Sequence, residues 1–142
     1  MSNSTINTIA DVEFGFELET YTPDTSLAVV RPFAAAVGWG GGRFDDHAKA
    51  KKEGLPGALV PGIMAMGFLT SIIHRWAPSA KVTTIDTVFR APLIADETCV
   101  VNAVVTDIDE ETGSVELDLT VKNDKDETRV FGTALVSLPV AA

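Results

Sequence analysis

The sequence predicts one α+β domain in which a curved antiparallel sheet of about five strands wraps around one long central helix. Three observations predict it. Residues 55–81, "LPGALVPGIMAMGFLTSIIHRWAPSAK", hold the most apolar run. Four segments of alternating pattern follow residue 81, and a fifth, at residues 12–21, precedes the apolar run. A chain of 142 residues forms one core and buries roughly 70% of the surface it exposes when unfolded. No repeat, low-complexity tract or linker divides it.

The elements are justified in order. Residues 1–11, "MSNSTINTIAD", carry neither a basic nor an apolar stretch, so they read as a flexible N-terminus without a signal peptide. In "VEFGFELETY" Phe14, Phe16 and Leu18 alternate with Gly15, Glu17 and Glu19, the period of a half-buried strand. "TPDTSLAVVRPFAAAVG" offers Asp24, Thr25 or Ser26 as a helix N-cap and Gly38 as a stop, with Pro32 inside a short helix. "DDHAKAKKE" starts acidic and turns basic before Gly54, the charge order that complements a helix dipole.

The central helix is expected from Pro61, a good first position, to just before Pro78. Ile63, Met66, Phe68, Leu69, Ile72, Ile73 and Trp76 surround most of its wheel, which predicts burial. "VTTIDTVFRAPL", "TCVVNAVVTDI", "SVELDLTVK" and "TRVFGTALVSL" then read as strands joined by the turn clusters "DEETG" and "NDKDE".

Composition excludes several functions. Eleven Lys and Arg stand against 20 Asp and Glu, a net charge of -9, which repels nucleic-acid backbones and anionic membranes. No apolar run reaches the roughly 20 residues of a membrane-spanning helix. Cys99 is alone and sits in a Val-rich strand, so it is expected as a small buried hydrophobe. A cytoplasmic location fits these features. His47 and His74 are far apart, and with one Cys they give no metal-ligand spacing; no cofactor is expected. "GWGGGRF" lacks the preceding strand and the G-K-[ST] ending of a phosphate-binding loop.

The stretch "GWGGGRFDDHAKAKKEG" at residues 38–54 resembles a motif of the MaoC-like hydratase and dehydratase family, G-D-x-N-P-I-H-x-D-x-x-x-A-x-x-x-G. Gly38, Asp46, Ala50 and Gly54 match without a gap. "VPGIMAMGFL" is similar to the family's x-H-G-M-L-x-M-G-x-L at the start of its central helix, and "FRAPL" to its F-x-x-P-[VL]. The likeness runs from about residue 20 to the end and implies the hotdog fold.

That resemblance implies a degenerate site. The family's catalytic Asp and His hold and activate the water that adds across an α,β-unsaturated thioester. Trp39 stands at the Asp position, Gly41 at the Asn and Phe44 at the His, while Pro61 stands where the family has the His of H-G. Trp and Phe cannot exchange a proton at neutral pH.

Gly62 matches the Gly whose N–H, at the helix N-terminus, points at the thioester carbonyl; alternatively it allows close helix packing. Gly62 and Ile63 are the thioester-binding candidates, and Trp39, Phe44 and Met64 the pocket walls. Asp45, Asp46 and His47 are the nearest replacement acid and base; they equally suit a helix N-terminus, with a carboxylate capping it and His47 facing solvent. Arg43, Lys49, Lys51 and Lys52 either meet the phosphates of CoA or form a solvated face.

Three functions follow. The chain is an acyl-thioester (acyl-CoA) binding subunit paired with a catalytically complete homologous hotdog subunit, or a homodimer. Alternatively it is a hydratase, dehydratase or thioesterase with relocated acid and base groups. The third reading is a non-enzymatic carrier or sensor of a hydrophobic ligand, with Trp39 and Phe44 walling the vacated site.

Overall fold

The computed structural model describes residues 5–140. A short 3-10 turn at Ile9–Asp11 is followed by helices α1 (Leu27–Ala36), α2 (His47–Lys52) and α3 (Gly62–Trp76), then by strands β1 (Lys81–Phe89), β2 (Cys99–Asp109), β3 (Ser114–Asn123) and β4 (Thr128–Ser137). All strand pairs are antiparallel and the order is β1-β4-β3-β2. The alternation in β3 falls as expected: Val115, Leu117, Leu119 and Val121 are buried beneath α3 while Glu116 and Asp118 face out. "DEETG" and "NDKDE" are the hairpin turns, held by Asp109 accepting the N–H groups of Glu111 and Thr112, and by Asn123 accepting those of Lys125 and Glu127.

The sheet has four strands where about five were expected. The segment at residues 12–21 joins β2 through two isolated bridges, Glu17 to Val104 and Tyr21 to Val101. Gly15 has a φ of +78° and the Phe16 N–H turns back onto the Glu13 carbonyl, which breaks the extended run. Phe14 and Phe16 are therefore exposed and Leu18 is buried. Nor is the terminus free over its described part: Ile9 is buried and its N–H donates to the Pro139 carbonyl at 3.0 Å. Residues 1–4 lie outside the described residues.

α3 buries one face and not its whole circumference. Met64, Ala65, Phe68, Leu69, Ile72 and Ile73 pack on the sheet, whereas Ile63 is 43% exposed and Gly67 faces out. On the opposite side of the sheet from the N-terminal segment, β1 forms an edge of nine residues, of which six are exposed. α1 is continuous through Pro32, which lies on its exposed side. No helix among the described residues is long and apolar enough to cross a membrane.

Candidate functional site

The glycine loop is aimed by the end of α1. Gly38 takes a φ of +81°, its N–H bonds the Ala35 carbonyl at 3.1 Å, and the Trp39 N–H bonds the Ala34 carbonyl at 2.7 Å. This left-handed helix stop, which Gly adopts without a Cβ clash, fixes the direction in which Trp39 leaves the helix. Trp39 is 42% exposed and stacks on Phe44, with ring centroids 5.4 Å apart and an interplanar angle of 29°. Together with Gly40, Gly41 and Gly42 they line an open hollow of about 600 Å³, with Arg43 and Glu53 on its rim. The Arg43 Nη2 donates to Glu53 Oε1 at 2.7 Å.

Phe44 also faces a second, more enclosed cavity of about 370 Å³ at the N-terminus of α3. Leu59, Val60, Gly62, Phe89, Pro92 and Leu93 are among its walls, and Arg90 is the charged residue of the lining. A Cβ on Gly62 would stand 3.2 Å from Phe89 Cε1, so the missing side chain is what lets the ring lie against the helix start. The N–H groups of Gly62 and Ile63 belong to the first turn of α3, which has no earlier turn to receive them. They supply the positive end of the helix dipole beside an apolar cavity.

The structure brings Gly62 and Phe44 to this cavity and joins Trp39 to it through the Phe44 ring. Met64 points instead into the core, and neither it nor Ile63 lines either hollow. Asp45, Asp46 and His47 do not line them either. Asp46 is the N-cap of α2 and accepts the Lys49 N–H at 3.0 Å. That backbone bond, ahead of all other causes, holds its carboxyl below the usual range, which suits a charged cap and not a proton donor. The Asp45 carbonyl accepts the Arg31 Nε–H at 2.7 Å, and its carboxylate lies 3.7 Å from the same Arg31 Nε.

The His47 side chain is 33% exposed, yet both of its ring nitrogens have protein partners. Its Nδ1 accepts the Ala58 N–H at 2.9 Å and its Nε2 lies 2.8 Å from Asp96 Oδ2. A ring nitrogen that accepts an N–H carries no proton, so Nε2 carries it and donates to the carboxylate. Both nitrogens are thereby committed, Nδ1 to the Ala58 backbone and Nε2 to the Asp96 carboxylate, and tie α2 to both. Gly57 leaves room for the ring, since a Cβ there would lie 2.9 Å from Nδ1. The His74 Nε2–H donates to the Ala80 carbonyl at 3.1 Å, away from both hollows. Burial pushes the Cys99 thiol up to about 11, so it is inert at neutral pH.

Sequence reasoning did not single out Asp96 or Arg90. Asp96 has a φ of +70°, and a short polar residue before a strand is a weak signal for such a turn. Lys49, Lys51 and Lys52 lie along exposed α2 and line neither hollow. Arg90 does line the cavity, and it stood within the quoted "FRAPL".

No family model matches the sequence, and no curated protein matches it. The likeness is in three dimensions. The ChsH1-ChsH2 complex from Mycobacterium tuberculosis contains a chain that superposes with a TM-score of 0.79 at 20% identity, covering 89% of this chain and 98% of that one. The (R)-hydratase from A. caviae involved in PHA biosynthesis gives 0.84 at 18% identity over 90% and 98%. The unliganded R-hydratase PhaJ1 from Pseudomonas aeruginosa gives 0.86 at 19% identity over 94% and 86%. The helix-wrapping sheet of this chain is thus the hotdog fold that (R)-hydratases and MaoC-like dehydratases share.

Proposed function

We propose that this chain is an acyl-thioester binding subunit of the enoyl-thioester hydratase and dehydratase kind, without an acid and base of its own, that works beside a catalytically complete homologous hotdog subunit in the cytoplasm. One observation carries the reading. The cavity at the start of α3 is walled by apolar side chains, with Phe44 at the position where the resemblance implies the catalytic His. An apolar cavity next to the N–H groups of Gly62 and Ile63 suits an acyl chain with a polarised carbonyl. None of its walls exchanges a proton near neutral pH.

Two surfaces support the pairing. The β1 edge leaves backbone groups without a neighbouring strand, a template for another sheet. The open face of α3 exposes Ile63, which a second subunit would cover. That one of the similar structures is a complex of two differently named chains, ChsH1 and ChsH2, agrees with such an arrangement.

The reading with relocated acid and base groups requires Asp45, Asp46 or His47 to leave their present partners. Hydration of crotonyl-CoA and a longer enoyl-CoA separates the two readings. The purified chain alone is expected to be inactive, and activity is expected with a homologous subunit carrying D-x-N-P-x-H. Activity of the chain alone that disappears in His47→Ala or Asp46→Ala would overturn the proposal.

A further inference from the structure

We propose that Arg90 is the anion-recognising residue of the cavity at the start of α3, so that its ligand joins an apolar body to a phosphate or carboxylate; this rests on the reading of that cavity as an acyl site. Arg90 follows β1 directly. Its N–H donates to the Arg129 carbonyl at 2.9 Å, and the Ala91 N–H donates to the same oxygen at 3.0 Å. This shared acceptor pins the turn to β4 and sets Arg90 beside Phe89 and Pro92 on the cavity wall. Every other residue of that wall is apolar or glycine. A single guanidinium at an apolar cavity is the arrangement that orients an amphipathic ligand.

Among the described residues Arg90 shares the lack of an ion pair with Arg75, Arg129 and five lysines; what distinguishes it is its place as the charged residue of the cavity wall. In a chain with 20 acidic and 11 basic residues, Arg31 pairs with Asp45 and Arg43 with Glu53. The further ion pairs of the described residues are His47 with Asp96 and Lys122 with Asp126. Arg90 has no carboxylate within 4.0 Å among the described residues. Arg129, whose carbonyl accepts the Arg90 N–H, lies close enough to Glu127 to help lower that carboxyl. The planar fork of a free guanidinium matches the paired oxygens of a phosphate or carboxylate.

The test is calorimetric binding to the full chain at physiological salt. Three probes are used: octanoyl-CoA, the neutral thioester octanoyl-N-acetylcysteamine, and octanoate. Arg90→Gln is expected to weaken octanoyl-CoA about tenfold, the scale of one charge-assisted hydrogen bond, and to leave the neutral thioester unchanged. Arg90→Lys is expected to recover part of the loss. Lys51→Gln/Lys52→Gln, which removes two charges from exposed α2, is expected to change binding less than about twofold.

Octanoate that matches octanoyl-CoA in affinity and shares its dependence on Arg90 supports the proposal and identifies a carboxylate held directly; octanoate that fails to bind while octanoyl-CoA depends on Arg90 points to phosphate. Unchanged octanoyl-CoA binding in Arg90→Gln overturns the role of Arg90 and leaves the acyl reading standing. Equal weakening of the charged and neutral thioesters also overturns it, because the residue then only shapes the wall. Failure of the wild-type chain to bind any of the three removes the acyl reading and this proposal with it.

Discussion

The Asp96 carboxylate accepts the Nε2–H of His47 at 2.8 Å across 49 residues of sequence. Its other oxygen accepts the Leu27 N–H, the first of α1, at 3.1 Å. One carboxylate therefore caps α1, which lacks a side-chain bond from its own N-cap Ser26, and positions the histidine of α2. The Asp96 N–H completes the link by donating to the Thr25 carbonyl at 2.9 Å. The glycine loop runs between these two helices, so its ends are held by groups outside it.

His47→Ala is expected to destabilise the fold without altering ligand binding in the cavity. It leaves the N–H of fully buried Ala58 without its acceptor, which costs about 1–3 kcal/mol. For a domain of this size that lowers the thermal midpoint by about 3–10 °C. Thermal unfolding followed by circular dichroism measures it. An unchanged midpoint together with loss of a catalytic activity would instead assign His47 to chemistry.

Asp96 makes a pH signature. The His47 hydrogen bond first, and the Leu27 N–H second, hold its carboxyl below the usual range. A carboxyl lowered in the folded state contributes stability that is fully present above its unfolded pKa of about 3.9 and is lost as pH falls through the folded value. Asp96→Asn keeps a side chain that tolerates the left-handed backbone at this position and removes the charge. Its stability deficit against wild type is expected to be constant between pH 7 and 8 and to narrow steadily as pH drops below about 4. Urea unfolding across that range tests this, and a deficit that widens in acid contradicts it.

What was legible follows from how local each signal is. The limits of α3 were readable because Pro61 and Pro78 bracket one apolar run, and β2 to β4 because their alternation matches burial on one sheet face. The degree of burial of α3 was not, since an apolar wheel does not say whether a second face meets the same chain or another one. Phe44 and Gly62 were identified by spacing against a family motif, and both do line one cavity. The hydrogen bonds of His47 were not readable because its partner Asp96 is remote in sequence and Ala58 acts through its backbone. Arg90 carried no periodic signal: its place on the cavity wall is revealed only by the folded arrangement.

Gly62→Ala is expected to separate binding from stability. The new Cβ would meet Phe89 Cε1 at 3.2 Å, and Phe89, 50% exposed, can turn aside into the cavity. Gly62 is the first residue of α3, where little of the mid-helix gain from replacing Gly applies, and the exposed Phe89 ring yields at small cost, so the thermal midpoint is expected to move little. Occupying a methyl-sized part of an apolar cavity weakens an acyl ligand by about tenfold or more. Calorimetry with octanoyl-CoA reads the loss, and undiminished affinity would show that the acyl group binds elsewhere.

The proposal that the glycine loop lacks an acid and base is tested most directly by introducing them. Trp39→Asp/Gly41→Asn/Phe44→His rebuilds the family pattern on a loop of unchanged length. Gly41 has a φ of +83°, a conformation that Asn tolerates better than most residues. Losing the Trp39 and Phe44 stack costs about 0.5–1.5 kcal/mol, small against typical domain stability of about 5–15 kcal/mol. Because Phe44 faces the same cavity as Gly62, a base introduced there would act next to the N–H groups of the α3 N-terminus, where the proposed thioester carbonyl would bind. Positioned acid and base groups contribute about 10²–10⁴-fold, so crotonyl-CoA hydration by the triple variant is expected to exceed that of wild type by at least about a hundredfold. Phe44→His alone, lacking the carboxylate to orient it, is expected to give much less. A triple variant that stays folded and binds octanoyl-CoA as tightly as wild type, yet remains inactive, would mean that more than these three positions separates this chain from catalysis.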